Sequence, residues 1–443
     1  MGSDYLTSPF DDLLKPVDEH LIVHNELMST LIFGNSINIH TTENGIPDLD
    51  STNIALIGIP ENRNSVEYLG DELNLNEVRK SLYNLYPGNW SSNISDLGNL
   101  ILGNTPEDTY GRIISMLTIL FKKNIIPIIL GGSQDLLYSI YRAYDSFQNT
   151  VNIVNVDSNF DLGESSKPIN NLSYLGKVIL DKPHNLFNYS NIGYQTYHNS
   201  QEEIDLMENL YFEAYRLGEV SSKIKLVEPV MRDADIASID LKSIKASELS
   251  SRQKFSPNGF DGKEICAISR YAGISNKVSS FAIFEYKSSN EDEVTEMLIS
   301  QIIWYFIEGV NCRVQDSDFD SEEDYHKFTV IVDEYELIFY KNKITSRWWI
   351  EIFGEGSNTK LKQQTLLPCT EDDYKTAKNG IIPDRWFKAI KKIYYSFIKY
   401  YCLDNAIICF FKFIWVSLPH FFCKVYEEDQ ENFTSCNCSS NSF

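Results

Sequence analysis

The sequence predicts an α/β protein. A mostly parallel central sheet is covered by helices on both faces, giving a three-layer sandwich, and a small C-terminal β appendage follows it. Three observations carry this expectation. From Asn53 to Val310, short apolar runs alternate with stretches whose apolar residues recur at helical spacing. Strands that alternate with helices build parallel sheets buried on both faces. Several of the apolar runs end on glycines or polar residues, which is where such sheets bind ligands. After Val310 the texture changes to β-runs without intervening helices.

Residues 1–52 are a lead-in segment in which LIVHNELMSTLIFGN has the look of a helix. The α/β domain, residues 53–310, opens with the buried strand NIALIGIP. The helices LNEVRKSLYNLY and YGRIISMLTILFKKN follow, then the strand IIPIIL and the helix DLLYSIYRAYDSF. TVNIVNVDSNFDLG is a strand that ends in acidic residues, and NYSNIGYQ is a shorter strand. QEEIDLMENLYFEAYRLG reads as one helix. ADIASIDLKSI is a strand, PNGFDGKEICAISRYAGIS a helix, VSSFAIFEY a strand and EVTEMLISQIIWYFIEGV a long helix.

Residues 311–390 carry an acidic run, the hairpin KFTVIVDEYELIFY with Asp333 and Glu334 near its turn, a third strand KITSRWWIEIF and the closing helix IPDRWFKAI. Asp316, Asp318 and Asp320 have the spacing of a calcium loop. However, Ser321 replaces the glycine at the sixth position, and Lys327 cannot supply the bidentate carboxylate at the twelfth, so the run reads as a solvated loop. Residues 391–443 form an atypical tail rich in cysteine and aromatics. Its apolar run is broken by Lys412 and Pro419 and is short for a bilayer span, so it reads as a poorly specified extension rather than an anchor.

A net charge of −23 argues against nucleic acid and acidic membrane surfaces, since both are polyanions. No basic segment followed by an apolar run stands at the start. Cys266, Cys312 and Cys369 are far apart, and the other five cysteines crowd the tail, which does not suggest a disulfide framework. The body therefore reads as cytoplasmic, with reduced thiols.

Three strand ends deliver polar groups to what should be one edge of the sheet. The first supplies Ser133, Gln134 and Asp135 after Gly131 and Gly132, the second Asp157, Asn159 and Asp161, and the third Asp240 and Lys242. Alternation along a strand puts Asp157 with Asn159, and Asp240 with Lys242, each pair aimed into one cleft. Converging carboxylates repel unless something positive sits among them. Ordinary loop carboxylates at strand ends are the plain alternative.

Four of these stretches resemble, in order and spacing, the motifs of the arginase–agmatinase–formimidoylglutamase superfamily, the ureohydrolases. GGSQD stands where the family has Gly-Gly-Asp-His-Ser, and DSNFD where it has Asp-Ala-His-x-Asp. SIDLKSIKAS stands where it has Ser-x-Asp-x-Asp-x-x-Asp-Pro, and FAIFEY where it has Asp-x-x-Glu-x-x-Pro. The resemblance implies an arginase-like sandwich. In the enzymes, four aspartates and two histidines hold two manganese ions that share a bridging hydroxide. It places Asp157, Asp161 and Asp240 at retained metal-ligand positions and Glu285 at the position that grips the substrate guanidinium. Gln134, Asn159 and Lys242 stand where the family has histidine, histidine and aspartate.

The implied site is degenerate. Asp157, Asp161 and Asp240, with Gln134 as an oxygen donor, could hold one ion, and an all-oxygen set favours manganese or magnesium over zinc. Alternatively Lys242 pairs with the aspartates and the cleft stays metal-free, and Glu285 could equally be buried and paired with Lys242. Two functions follow. One is a catalytically impaired protein that binds a small cationic metabolite or a protein partner. The other is a hydrolase of guanidino or amidino C–N bonds that uses one metal or a rearranged site. Family members are often homo-oligomers.

Overall fold

The computed structural model describes residues 10, 12–22, 31–67, 70, 73–147, 150–164, 167–249, 256–287, 293–315, 323–352 and 366–393. The chain divides into two compact units, residues 1–389 and 390–443, and the fold described here belongs to the first. The expected calcium-like run at Asp316, Asp318 and Asp320 lies outside the described residues, as does the tail from residue 394.

Ten strands form the main sheet among the described residues. They are β1 (Leu14–Lys15), β2 (Asn38–Ile39), β3 (Ile54–Ile59), β4 (Ile94–Leu100), β5 (Ile126–Gly131), β6 (Val151–Val156), β7 (Leu186–Tyr194), β8 (Glu213–Arg216), β9 (Ile236–Asp240) and β10 (Ser280–Phe284). Their order is β1-β4-β3-β5-β10-β9-β6-β7-β8, with β2 beside β4. All pairings are parallel except β1 with β4. Every residue of β3, β6, β9 and β10 is buried, as a sheet covered on both faces requires.

The covering helices are α1 (Asn76–Tyr83), α2 (Pro106–Lys122), α3 (Leu136–Ala143), α4 (Tyr174–Leu180), α5 (Gln201–Asn209), α6 (Leu217–Ser222), α7 (Val227–Arg232), α8 (Gly262–Ile274) and α9 (Val294–Asn311). α1, α7, α8 and α9 bury their apolar residues in one core, and α2 to α5 in the other, so the sheet separates two apolar layers. Starts are fixed locally. Thr105, Ser200 and Asp261 each form a capping box with the residue three positions on, satisfying backbone donors at the openings of α2, α5 and α8.

A second, antiparallel sheet follows: β11 (Tyr325–Val332), β12 (Tyr335–Asn342), β13 (Trp348–Glu351) and β14 (Leu366–Cys369). The expected hairpin turns at Asp333, whose φ is +51°. Helix α10 (Glu371–Lys378) comes next, and residues 384–389 are helical as expected.

Three sequence expectations change. QEEIDLMENLYFEAYRLG is not one helix. The chain leaves α5 at Asn209, turns through Tyr211 at φ +54° and enters β8, where Glu213 is buried against Arg385. The described parts of the lead-in stretch are short 3-10 turns, Glu19–Leu21 and Phe33–Asn35, rather than an α-helix; residues 23–30 lie outside them. Strand β4 was not expected, because ISDLGNL carries a charge and a glycine within it.

Both interruptions of β4 have a physical reason. Asp96 is fully buried and accepts from Arg79 Nε at 2.8 Å, Tyr83 Oη at 2.7 Å and the Gly98 amide at 2.9 Å. Gly98 has φ +83°, and a Cβ there would lie 2.1 Å from the Lys15 carbonyl oxygen. The ion pair thus ties α1 to β4 inside the core. Arg79→Leu should cost about 3–5 kcal/mol in urea unfolding, because it strands a buried carboxylate. The Arg79→Leu, Asp96→Leu double variant should recover part of that loss; a double variant no more stable than the single would show that the pair is not the coupled unit.

Candidate functional site

The strand order brings the polar strand ends together. β5, β10, β9 and β6 are consecutive neighbours. Leu130 lies beside Ile283, Phe284 beside Asp240, and Ile239 beside Val156. All four strands are parallel, so the residues that follow them leave from one edge.

At the end of β5 the two glycines are demanded by close packing. A Cβ on Gly131 would meet the Phe284 ring at 2.6 Å, and one on Gly132 would lie 2.0 Å from the Glu61 carbonyl oxygen. The turn they permit aims the Gln134 amide at Glu285 Oε1, 2.9 Å away. Ser133 and Asp135 face a different partner. The Ser133 and Tyr110 hydroxyls both donate to the Asp135 carboxylate. Burial raises the Asp135 carboxyl to about 6 despite these bonds.

Asp157, Asp161 and Asp240 are buried, and one carboxylate oxygen of each lies within 4.8 Å of the others. Asp157 accepts from the Asn159 amide at 3.0 Å and from Asn155 Nδ2 at 3.1 Å. Asp240 Oδ1 accepts from the Lys242 amide at 2.6 Å, while its Oδ2 is buried without a hydrogen-bond partner. Gln134 Oε1 is likewise buried and unpartnered, although its Nε2 donates to Asn155 Oδ1 at 3.1 Å. All three carboxyls are pushed upward. Burial is the main cause for each; Asp161 then raises Asp157, and Asp157 raises Asp240. Asp161 rises to about 8, with the Lys242 charge opposing the shift.

Lys242 makes its ion pair elsewhere. Its Nζ lies 2.9 Å from Glu285 Oε2. Glu285 Oε1 accepts from the Gln134 amide and from Asn171 Nδ2 at 3.1 Å. Burial alone would lower the lysine, but Asp240, Glu285 and Asp161 outweigh it and hold the ammonium firmly protonated.

Of the pairings open to Lys242, the one with Glu285 is formed; the expectation that it would neutralise Asp157 and Asp240 by pairing with them is corrected, and these aspartates feel its field. Asn159 also departs from expectation. Its backbone amide bonds to Asp157, but its side chain donates to the His198 carbonyl at 3.2 Å and accepts from the Ser158 hydroxyl. Gln134, Asp157, Asp161, Asp240, Lys242 and Glu285 do converge at the one edge. Sequence reasoning missed Asn155, Ser238 and Asn171. Asn155 bridges Gln134 and Asp157, and accepts from the Ser238 hydroxyl at 2.6 Å. Alternation could have found Asn155 and Ser238, since each stands two residues before an aspartate of the cluster. Asn171 comes from a loop, and no periodicity marks it.

A model described as Arginase family matches residues 52–308, more than half of the chain. The chain belongs to the arginase family. Solved structures agree on the fold. Formiminoglutamase of Trypanosoma cruzi with Mn2+ superposes at a TM-score of 0.53 and 17% identity, covering 61% of this chain and 100% of that one. Formimidoylglutamase from Bacillus subtilis gives 0.54 and 15%, covering 67% and 99%. The agmatine ureohydrolase of Thermoplasma volcanium gives 0.51 and 18%, covering 64% and 95%. At these identities the likeness speaks to the fold alone. Comparison with curated protein sequences gives no match. No helix among the described residues is long and apolar enough to cross a membrane.

The buried carboxyls of this arginase-family chain give it a distinctive pH response. A carboxyl raised from 3.8 to about 8 on folding keeps its proton in the folded state. The stability it contributes is full below the unfolded value and is lost as pH rises through the folded one. Asp157 and Asp240 shift in the same direction. Chelator-treated protein should therefore melt at progressively lower temperature from about pH 5 to pH 8. The Asp161→Asn variant should show a shallower slope. A melting temperature that is flat or rises across this range would contradict the assignment.

Proposed function

We propose that this arginase-family protein works by binding, as a scaffold or sensor, and that its metal centre is degenerate and holds at most one divalent cation. The observation that carries the reading is the Lys242–Glu285 ion pair at 2.9 Å. The glutamate that the family resemblance assigns to a substrate guanidinium is already engaged by the chain's own ammonium. Two further positions support it: by the family resemblance Gln134 and Asn159 replace histidines, and the Asn159 side chain bonds to His198 and Ser158.

The donor set fits one hard cation. Asp157, Asp161 and Asp240 offer converging oxygens, and the unpartnered Asp240 Oδ2 and Gln134 Oε1 are buried acceptors that lack a donor. Manganese or magnesium suits such an all-oxygen set. A bound cation would neutralise the carboxylates and supply Lewis acidity. The chain's own residues would hold it, with Asn155 orienting both Gln134 and Asp157. This fit favours a second reading, a hydrolase of guanidino or amidino C–N bonds that uses a single metal. The Lys242 ammonium weighs against it, because it repels a guanidinium approaching Glu285.

Elemental analysis of purified protein should find no more than one manganese or magnesium ion per chain. With arginine, agmatine and formimidoylglutamate in excess Mn2+, turnover should lie orders of magnitude below the roughly 10 s⁻¹ typical of enzymes. Two tightly held manganese ions, or efficient release of urea or formamide, would overturn the proposal.

The triple variant Gln134→His, Asn159→His, Lys242→Asp restores the family's ligand types. Its melting temperature should rise with Mn2+ by more than the parent's, as expected when a ligand binds only the folded state. An equal response in the two proteins would mean that these positions do not converge on one metal centre.

A further inference from the structure

The appendage sheet ends differently on its two sides. At β14 the edge is closed: the Pro368 carbonyl accepts from Arg385, and the Cys369 carbonyl accepts from Arg232 at 3.4 Å. At the other side stands β11, whose eight residues pair with β12 alone among the described residues. Alternate residues of an edge strand turn their N–H and C=O groups outward, where another strand can add. Helix α10 packs on one face, with the Tyr374 ring 5.1 Å from that of Phe328. The edge itself stays open. His326, Lys327, Thr329 and Ile331 are exposed, Ile331 by 76%.

The usual protections of such an edge are missing. β11 contains neither proline nor glycine, and its register with β12 runs unbroken from Tyr325 to Val332. Its one fixed charge, Lys327, reaches over the neighbouring strand, with Nζ 5.8 Å from the Tyr340 ring centroid. The ends of the strand are acidic instead. Glu323 and Asp324 precede it, Asp333 and Glu334 follow it, and none of the four forms an ion pair among the described residues. This charge pattern selects the partner. A second copy of the chain is disfavoured. Antiparallel pairing of two β11 strands over their full length sets Asp324 against Asp333 and Glu323 against Glu334, and parallel pairing in register sets Lys327 against Lys327.

We propose that β11 receives an extended segment of a partner protein as the fifth strand of the appendage sheet, and that this segment carries aliphatic or β-branched residues along its middle and Lys or Arg at both ends. Ladder hydrogen bonds supply the affinity, Thr329 and Ile331 give its side chains a surface to lie against, and the acidic ends set its register by drawing its cations. The surface lies beyond residues 52–308, which the family model matches, and involves none of the carboxylates of the metal centre.

The test uses the full chain and two short fluorescein-labelled peptides that alternate valine and threonine, one ended by pairs of arginines and the other by pairs of glutamates. In fluorescence anisotropy at low salt the arginine-ended peptide should bind saturably, and the glutamate-ended one about tenfold more weakly or less. Amide hydrogen exchange in residues 325–332 should slow when the first peptide is bound. Glu323→Lys with Glu334→Lys, both at exposed positions, should invert the preference, and Ile331→Lys should weaken binding of the arginine-ended peptide. Should a variant fail to fold, the two peptides and the exchange of the parent chain decide. No saturable binding of the arginine-ended peptide, equal binding of the two, or unchanged exchange in residues 325–332 would rule the site out. So would a concentration-dependent dimer of the unliganded chain in sedimentation that Ile331→Lys dissolves, which would give the edge to a second copy. Metal content and turnover do not enter these measurements, so the proposed function and this inference can fail separately.

Discussion

Burying Asp157, Asp161, Asp240 and Glu285 together removes four carboxylates from water at the junction of four parallel strands, against the single ammonium of Lys242. The desolvation cost of such a group is several kcal/mol per ion unless charge and hydrogen bonds answer it. The local structure is organised by how that cost is met. Glu285 is met fully, by an ammonium and two N–H donors. Asp157 is met in part, by a backbone amide and Asn155. Asp240 keeps one oxygen with no donor, and the aspartates are left to hold protons or a cation.

The backbone carries part of this arrangement. Asp161 and Glu285 both adopt positive φ, at +53° and +63°. Neither is glycine, so each conformation persists only because surrounding contacts over-determine it. The glycine pair before Gln134 works the other way. It removes side chains so that β5 can pass the Phe284 ring and the Glu61 carbonyl, and that approach is what brings the Gln134 amide to Glu285. Sheet order then does the rest, since β10 and β9 stand between β5 and β6 and close the gap between motifs far apart in sequence.

Most of this was legible in the sequence where burial is simple. The apolar runs of β3, β5, β6, β9 and β10 announced themselves, and so did the long helices, because period is a strong signal. β4 was hidden because its stability rests on a buried ion pair and a glycine forced by Lys15, and neither looks like a strand. β8 was hidden inside a helical pattern broken only at Tyr211, whose positive φ no residue preference foretells. At the strand ends, the family motifs pointed to the three aspartates and Glu285, and the fold brings these residues to one edge. The motifs left the partner of Lys242 open between the aspartates and Glu285. A charge at a strand end can reach several neighbours, and only coordinates show that Asn171 and the Gln134 amide orient Glu285 to receive it. Asn159 misled for a related reason: alternation aims its Cβ at the cleft, but the His198 carbonyl offers its amide a better partner.

Of the neutral amide side chains near the carboxylates, Asn155 is the one that touches Asp157. By the family resemblance, Gln134 and Asn159 are neutral amides in the places of histidines, and Asn155 adds a third neutral amide beside Asp157. A neutral amide can donate to an ionised carboxylate or accept from a protonated one by exchanging which end it presents. Asn155 donates to Asp157 and accepts from the Gln134 side-chain amide and the Ser238 hydroxyl. A proton and a bound cation would therefore compete for one set of oxygens. With Asp161 raised to about 8, a divalent ion entering near neutral pH must displace a proton, and its affinity must grow as pH rises. The Lys242 ammonium opposes the ion at every pH, because its own proton is held by Glu285 and the neighbouring aspartates. Proton displacement would weaken cation binding below about pH 8, and the fixed lysine charge would weaken it further.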